Sequence, residues 1–173
     1  MNFIKLFKKL RSKLVGGETL VQYLRECGIE IGSGCRIFCD ISTTESYLIS
    51  IGNNTTISGN VTLETHDASI SKAIEGRTDL FGKIRIGDNC FIGEGATILY
   101  GVTLPDNTIV GASSVVTKSI NESGKIIAGN PAKIVGDFES FSETYKRFAV
   151  NIKGMSPEEK KDLLSNEKIM VKR

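Results

Sequence analysis

From Ile86 onward an aliphatic side chain returns at every sixth position: Ile86, Ile92, Ile98, Leu104, Val110 and Val116. Four residues after the first five of these stands a compact residue, in turn Cys90, Ala96, Val102, Thr108 and Ser114. Glycine follows directly at Gly87, Gly93 and Gly111. The same grammar runs upstream, where Ile31-Gly32 leads to Cys35 and Ile37, and Ile51-Gly52 leads to Thr55, Ile57, Val61 and Leu63. This is neither the 3.6-residue period of a helix nor the simple alternation of a long strand. Short strands that turn a corner every six residues produce it, with the large aliphatic and the compact residue both facing inward. Three such flats make a coil of about 18 residues. Stacked coils pair their strands about 4.8 Å apart around a narrow interior filled by aliphatic ladders. The pattern therefore predicts an all-β solenoid. A sandwich would show turns every 8–12 residues, and glycine at this density would melt an amphipathic helix.

The places where the pattern stops are as informative. Residues 38–50 break the phase, which predicts a bulged or looped coil. Residues 65–83 break it again with several charges, which predicts an excursion loop thrown out from the repeat, and loops on rigid scaffolds are where function tends to sit. After Ile120 the period fades. At the N-terminus Phe3, Leu6, Phe7, Leu10 and Leu14 share one face at helical spacing. A helix over 3–14 would cap the first coil or lie on an anionic membrane surface. Ser156-Pro157-Glu158-Glu159 is a helix start, with Ser as N-cap and Pro at the first helical position, and it predicts a short helix over 157–165. The organisation is then a helical segment 1–27, a repeat domain 28–136 containing the 65–83 excursion, and a helical tail 137–173.

Composition changes this picture little. Eighteen glycines against three prolines fit a backbone of many tight corners. A net charge of +2 gives no push toward nucleic acid, although residues 1–16 carry Lys5, Lys8, Lys9, Arg11 and Lys13 and no acid. No apolar run approaches the ~18 residues that span a bilayer, and the scattered N-terminal charge makes a poor signal peptide. A cytoplasmic location follows, with residues 1–16 free to meet the inner face of the membrane. Cys27, Cys35, Cys39 and Cys90 form no metal-site spacing, and with a single histidine no metal is expected. They read as reduced and structural.

Three segments carry a family resemblance: Leu63-Glu64-Thr65-His66-Asp67, Gly82-Lys83-Ile84-Arg85-Ile86-Gly87-Asp88-Asn89, and Gly111-Ala112-Ser113-Ser114-Val115-Val116-Thr117-Lys118. With Ala128-Gly129-Asn130-Pro131-Ala132-Lys133 they resemble the hexapeptide-repeat acyltransferases, in particular the maltose/galactoside and surface-polysaccharide O-acetyltransferase branch. The resemblance covers about residues 28–136. It implies a left-handed parallel β-helix with short N- and C-terminal helices, a homotrimer, and acetyl-CoA as acyl donor in grooves between neighbouring subunits. The chain departs from the family pattern at Phe91, Leu99, Tyr100-Gly101, Pro105 and Ser119-Ile120-Asn121, corner and surface positions that bear on acceptor preference.

Acetyl transfer from a thioester to a hydroxyl needs a base for the hydroxyl proton, and imidazole exchanges protons near neutral pH. His66 matches the family's base. Glu64, two residues away, Asp67, adjacent, or a backbone carbonyl would orient its ring. The resemblance places Ala112 beside the pantetheine arm, Thr117 and Lys118 near the nucleotide end of CoA, and Lys118 and Lys133 as cations for its phosphates. Ser58, Asn60, Asp67 and Glu94 fall on the acceptor side. The expected activity is acetyl transfer to a hydroxyl of a sugar or surface-polysaccharide precursor. An antibiotic-directed O-acetyltransferase, an amino-sugar N-acetyltransferase and a non-catalytic β-helix assembly module are the alternatives. A γ-type carbonic anhydrase, which shares the fold, needs three zinc-binding histidines where this chain has one. A serine acetyltransferase needs a long helical N-terminal domain.

Overall fold

The computed structural model describes residues 18–171. The helix expected over 3–14 and the basic run 1–16 lie outside the described residues. The chain divides into two compact units, Met1–Gly136 and Asp137–Arg173.

The first described element is helix α1 (Glu18–Glu26), whose Leu20, Val21 and Leu24 are buried. Very short strands follow: β1 (Glu30–Ile31), β2 (Arg36–Ile37), β3 (Ile49–Ile51), β4 (Thr56–Ile57), β5 (Thr62–Leu63), β6 (His66–Asp67), β7 (Leu80–Phe81), β8 (Ile84–Ile86), β9 (Phe91–Ile92), β10 (Thr97–Ile98), β11 (Thr103–Leu104), β12 (Ile109–Val110), β13 (Val115–Val116), β14 (Lys125–Gly129) and β15 (Ala132–Asp137). They sort into sheet A (β1-β3-β8-β11), sheet B (β15-β14-β12-β9-β4-β2), sheet C (β13-β10-β5) and the separate pair β6-β7. From β8 to β13 the chain visits A, B and C in strict rotation. Each strand pairs in parallel with the one eighteen residues on, as in Arg85 with Thr103, Phe91 with Ile109 and Thr97 with Val115. The six-residue grammar is thus one strand and one corner, and three of them return the chain to the same sheet.

The inward positions are those the sequence marked. Ile86, Ile92, Ile98, Leu104, Val110 and Val116 are all buried, as are the compact Cys90, Ala96, Val102, Thr108 and Ser114. The compact polar residues are not idle in the core. The Thr55 hydroxyl donates to Gly87 O at 2.9 Å and accepts from Cys90 N at 3.0 Å, so it bonds one coil to the next. All four cysteines are free thiols, and Cys35, Cys39 and Cys90 are buried. The period does not end at Ile120. β14 adds one more strand to sheet B with Ile127 opposite Val110, one residue short of the eighteen-residue step, and that deletion hides it from a strict six-residue search.

Where sheet A turns into sheet B, coils approach so closely that glycine is required. A Cβ on Gly87 would stand 2.6 Å from Asp106 N and 2.8 Å from Pro105 C, both backbone atoms that cannot swing aside. Gly87→Ala is therefore expected to destabilise by roughly 1–3 kcal/mol, read as a melting temperature several degrees lower. An unchanged melting temperature would show that the coils can separate at this corner. Asparagine supplies the left-handed backbone at neighbouring corners, with positive φ at Asn54, Asn60, Asn89 and Asn107.

The excursion leaves after Thr65. β6 and β7 pair antiparallel, His66 opposite Phe81 and Asp67 opposite Leu80. In the second unit α2 (Phe138–Tyr145) is followed by α3 (Pro157–Leu164), which starts where the sequence predicted. Its capping box is complete: Glu159 N donates to Ser156 Oγ at 3.2 Å and Ser156 N to Glu159 Oε2 at 2.7 Å. Among the described residues no helix is long and apolar enough to cross a membrane.

Candidate active site

His66 sits where sheet C gives way to the excursion. β5 carries Leu63 into the core, Glu64 N donates to Ile98 O at 2.9 Å and so stays in the ladder, and Thr65 turns inward and is buried. The next residue, His66, faces out with 41% of its side chain exposed. Its Nδ1 lies 3.0 Å from Glu45 Oε2. Glu45 comes from the phase-broken stretch one coil earlier, just before a short 3₁₀ turn, Ser46–Leu48.

Three threonine hydroxyls converge on the Glu45 carboxylate. Thr44 bonds Oε1, while Thr65 and Thr43 reach Oε2 at 2.9 and 3.2 Å and lie 2.6 Å from each other. The hydrogen bond from Thr44, joined by those from Thr65, His66 and Thr43, outweighs partial desolvation and holds the Glu45 carboxyl down to about 2. An ionised carboxylate only accepts hydrogen bonds. Nδ1 must therefore carry the proton facing Glu45, and in the neutral ring Nε2 keeps its lone pair free. Phe81 flanks the imidazole, ring centroids 5.9 Å apart and planes tilted by 44°.

The orienting group is thus neither Glu64 nor Asp67. Asp67 Oδ1 accepts from Ser69 N at 2.8 Å and caps the 3₁₀ turn Ala68–Lys72, and its Oδ2 accepts from Tyr100 Oη at 3.2 Å. The Ser69 bonds, assisted by Tyr100, hold its carboxyl below the usual range, while burial and the Asp67 carboxylate push the Tyr100 phenol up. Asp67 anchors the excursion to the next coil. Tyr100, one of the departures from the family pattern, supplies the other half of that anchor.

His66 and Glu64 line a cavity of about 240 Å³ with Asp40, Thr43 and Thr62. A larger groove of about 700 Å³ runs along the outer face of sheet A, past Arg25, Glu30 and Arg85, and touches none of the candidate residues. The remaining candidates other than Lys133 divide between two edges of the first unit. Thr117 and Lys118 follow β13 at the C-to-A edge, below Tyr100 and the His66 coil, and both are exposed. Ser58, Asn60, Glu94 and Ala112 lie at the B-to-C edge. There Asn60 Nδ2 donates to Glu94 Oε1 at 3.4 Å and Ser113 N to Glu94 O at 2.8 Å. The five residues from Ala112 to Thr117, at ~3.3 Å each, separate these edges by on the order of 15 Å. Lys133 is exposed on β15. Neither Lys118 nor Lys133 has an ion-pair partner among the described residues. No group of three or more potential metal ligands occurs among the described residues.

A family model described as the hexapeptide repeat of succinyl-transferase matches residues 83–118. The chain is 39% identical to protein CapG of Staphylococcus aureus over 165 residues, which is 92% of this chain and 95% of that protein. It is 30% identical to the galactoside O-acetyltransferase of Escherichia coli (strain K12) over 118 residues, 68% of this chain and 58% of that protein's length. The chain belongs to the hexapeptide-repeat acetyltransferase family. The fold agrees: a galactoside acetyltransferase solved in complex with coenzyme A superposes with a TM-score of 0.57 at 23% identity, over 83% of this chain and 86% of that one.

Within this hexapeptide-repeat acetyltransferase, the residue that sequence reasoning missed is Glu45. A signal was present. In the first coils the step is twenty residues, Glu30 opposite Ser50 and Arg36 opposite Thr56. Stepping back by about that length from His66 lands on Thr-Thr-Glu at 43–45.

Proposed function

We propose that the chain moves the acetyl group of acetyl-CoA to a hydroxyl of a sugar or surface-polysaccharide precursor, with His66 as general base. The observation that carries this reading is the His66–Glu45 pair, 3.0 Å apart, on a histidine whose side chain is 41% exposed. The acceptor hydroxyl donates its proton to Nε2 as its oxygen attacks the thioester carbonyl. The imidazolium so formed faces an ionised carboxylate, which stabilises it. When the tetrahedral adduct collapses, the same proton passes to the departing thiolate and His66 is neutral again. Kinship with a galactoside O-acetyltransferase supports a sugar acceptor. Lys118 and Lys133, exposed and without carboxylate partners among the described residues, are the cations suited to the phosphates of the donor, and the short side chain of Ala112 leaves room for its pantetheine arm.

The working unit in this reading is a homotrimer of left-handed β-helices. Ser58, Asn60 and Glu94 at the B-to-C edge and His66 at the C-to-A edge, on the order of 15 Å apart, are too far apart for one sugar ring to touch both within a single chain. A neighbour's edge beside His66 brings the two sets together. Sedimentation equilibrium is expected to give three times the 18.8 kDa chain mass, and a stable active monomer would sink the trimer. The acceptor class is tested by following thiol release from acetyl-CoA across a panel of sugars, amino sugars and glycan precursors. Stimulation by hydroxyl sugars alone supports O-acetylation, stimulation by amino sugars alone overturns it in favour of N-acetylation, and no turnover with any acceptor favours a structural module.

A further inference from the structure

Phe81 is 58% exposed, so it contributes little to any core, yet it is held firmly beside the candidate base. It stands opposite His66 in the β6–β7 pair. The next residue, Gly82, donates its N–H to Thr65 O at 3.1 Å. A Cβ on Gly82 would come within 2.9 Å of Gly101 Cα and Tyr100 C, so the backbone here is pressed against the Tyr100–Gly101 corner with no room to shift. The other strand of the hairpin is tied to the same corner through Asp67 and the Tyr100 hydroxyl. The result is a flat apolar surface on a rigid two-strand platform, tilted beside the imidazole at 5.9 Å between ring centroids. Leu80, the adjacent exposed apolar residue, points to the opposite face of the strand, so the platform beside His66 is Phe81 itself.

A pyranose ring has one face made of C–H groups and a rim of hydroxyls. An aromatic face receives the first and leaves the second free for hydrogen bonding, the division of labour common in small-molecule sites. We infer that Phe81 is the platform on which the sugar ring of the acceptor lies, presenting one rim hydroxyl to Nε2 of His66. The inference rests on the sugar-acceptor reading above and adds the residue that determines how the sugar is held.

The test uses the full chain carrying Phe81→Ala, Phe81→Leu or Phe81→Tyr, each first shown by circular dichroism and melting temperature to be folded. The acceptor is a sugar that the wild type acetylates. Phe81→Ala is expected to raise the acceptor KM about tenfold, equivalent to about 1.4 kcal/mol, and to leave the KM for acetyl-CoA and the pH profile of kcat unchanged. Phe81→Tyr should keep the wild-type KM, and Phe81→Leu should not. Two results overturn the inference. One is an unchanged acceptor KM in Phe81→Ala. The other is a fall in kcat with an altered pH profile that Phe81→Leu rescues, which would make Phe81 a packing support for the imidazole. If the wild type acetylates no sugar, the acceptor reading fails first and takes this inference with it. If sugars are acetylated and Phe81→Ala binds them normally, only the platform is wrong.

Discussion

Replacing His66 by alanine is expected to slow acceptor-dependent release of thiol from acetyl-CoA by roughly 10²–10⁴-fold, the usual contribution of a positioned general base. The expectation rests on geometry. Nδ1 is engaged by a carboxylate that cannot donate, so the opposite nitrogen is the one left to accept a proton. With 41% of the side chain exposed, its removal opens no buried cavity, so the melting temperature should stay close to that of the wild type. The KM for acetyl-CoA should stay close too, since the donor is read as held by Ala112, Thr117, Lys118 and Lys133 rather than by the imidazole. A loss confined to kcat is the signature of an interaction made in the transition state. A variant keeping more than about a tenth of the wild-type rate would sink the general-base role, because a proton acceptor that can be dispensed with so cheaply is not one.

The repeat and the site were legible from sequence to different depths, and the difference has a physical origin. Core ladders are written by every coil at the same phase, so Ile86 through Val116 announce one another, and each addition raises the certainty of the rest. Corner glycines are legible for a related reason: at Gly87 the next coil leaves no volume for a Cβ. His66 stood out as the single histidine in a Thr-His-Asp segment at the end of a repeat run. The Glu45 contact is of another kind. It joins a residue in one broken coil to a residue at the start of an excursion, so neither end keeps the phase that would reveal the register. A lone acid between threonine and serine is ordinary on any surface, and only the fold brings Thr43, Thr44 and Thr65 around it. The β14 strand was hidden for a smaller reason, a single residue missing from the step. Asp67 was visible as an acid beside the base, but its geometry is set by Ser69 and Tyr100, the latter on the following coil.

Glu45→Gln is expected to cost roughly 10²-fold in kcat while leaving the KM for acetyl-CoA in place. The glutamine amide is nearly isosteric, and its oxygen can still accept from Nδ1, so the ring need not move. What disappears is the full negative charge that meets the imidazolium in the transition state. An amide can also turn its NH2 toward Nδ1 and favour the unproductive tautomer. Because Glu45 acts through His66, the double variant should be no slower than His66→Ala alone; a further loss in that background would mean that Glu45 touches substrate directly or only supports the fold. Stability gives a second, independent readout. The carboxyl titrates at about 2 in the folded chain against an ordinary 4.5. A depressed value of this kind stabilises the fold at every pH above the unfolded value, and that contribution is lost as the pH falls from 4.5 toward 2. The melting-temperature gap between wild type and Glu45→Gln should therefore close progressively as the pH falls below 4.5. A gap that persists unchanged to pH ~3 would show that the threonine cradle does not hold a charged carboxylate, and the tautomer assigned to His66 would fall with it.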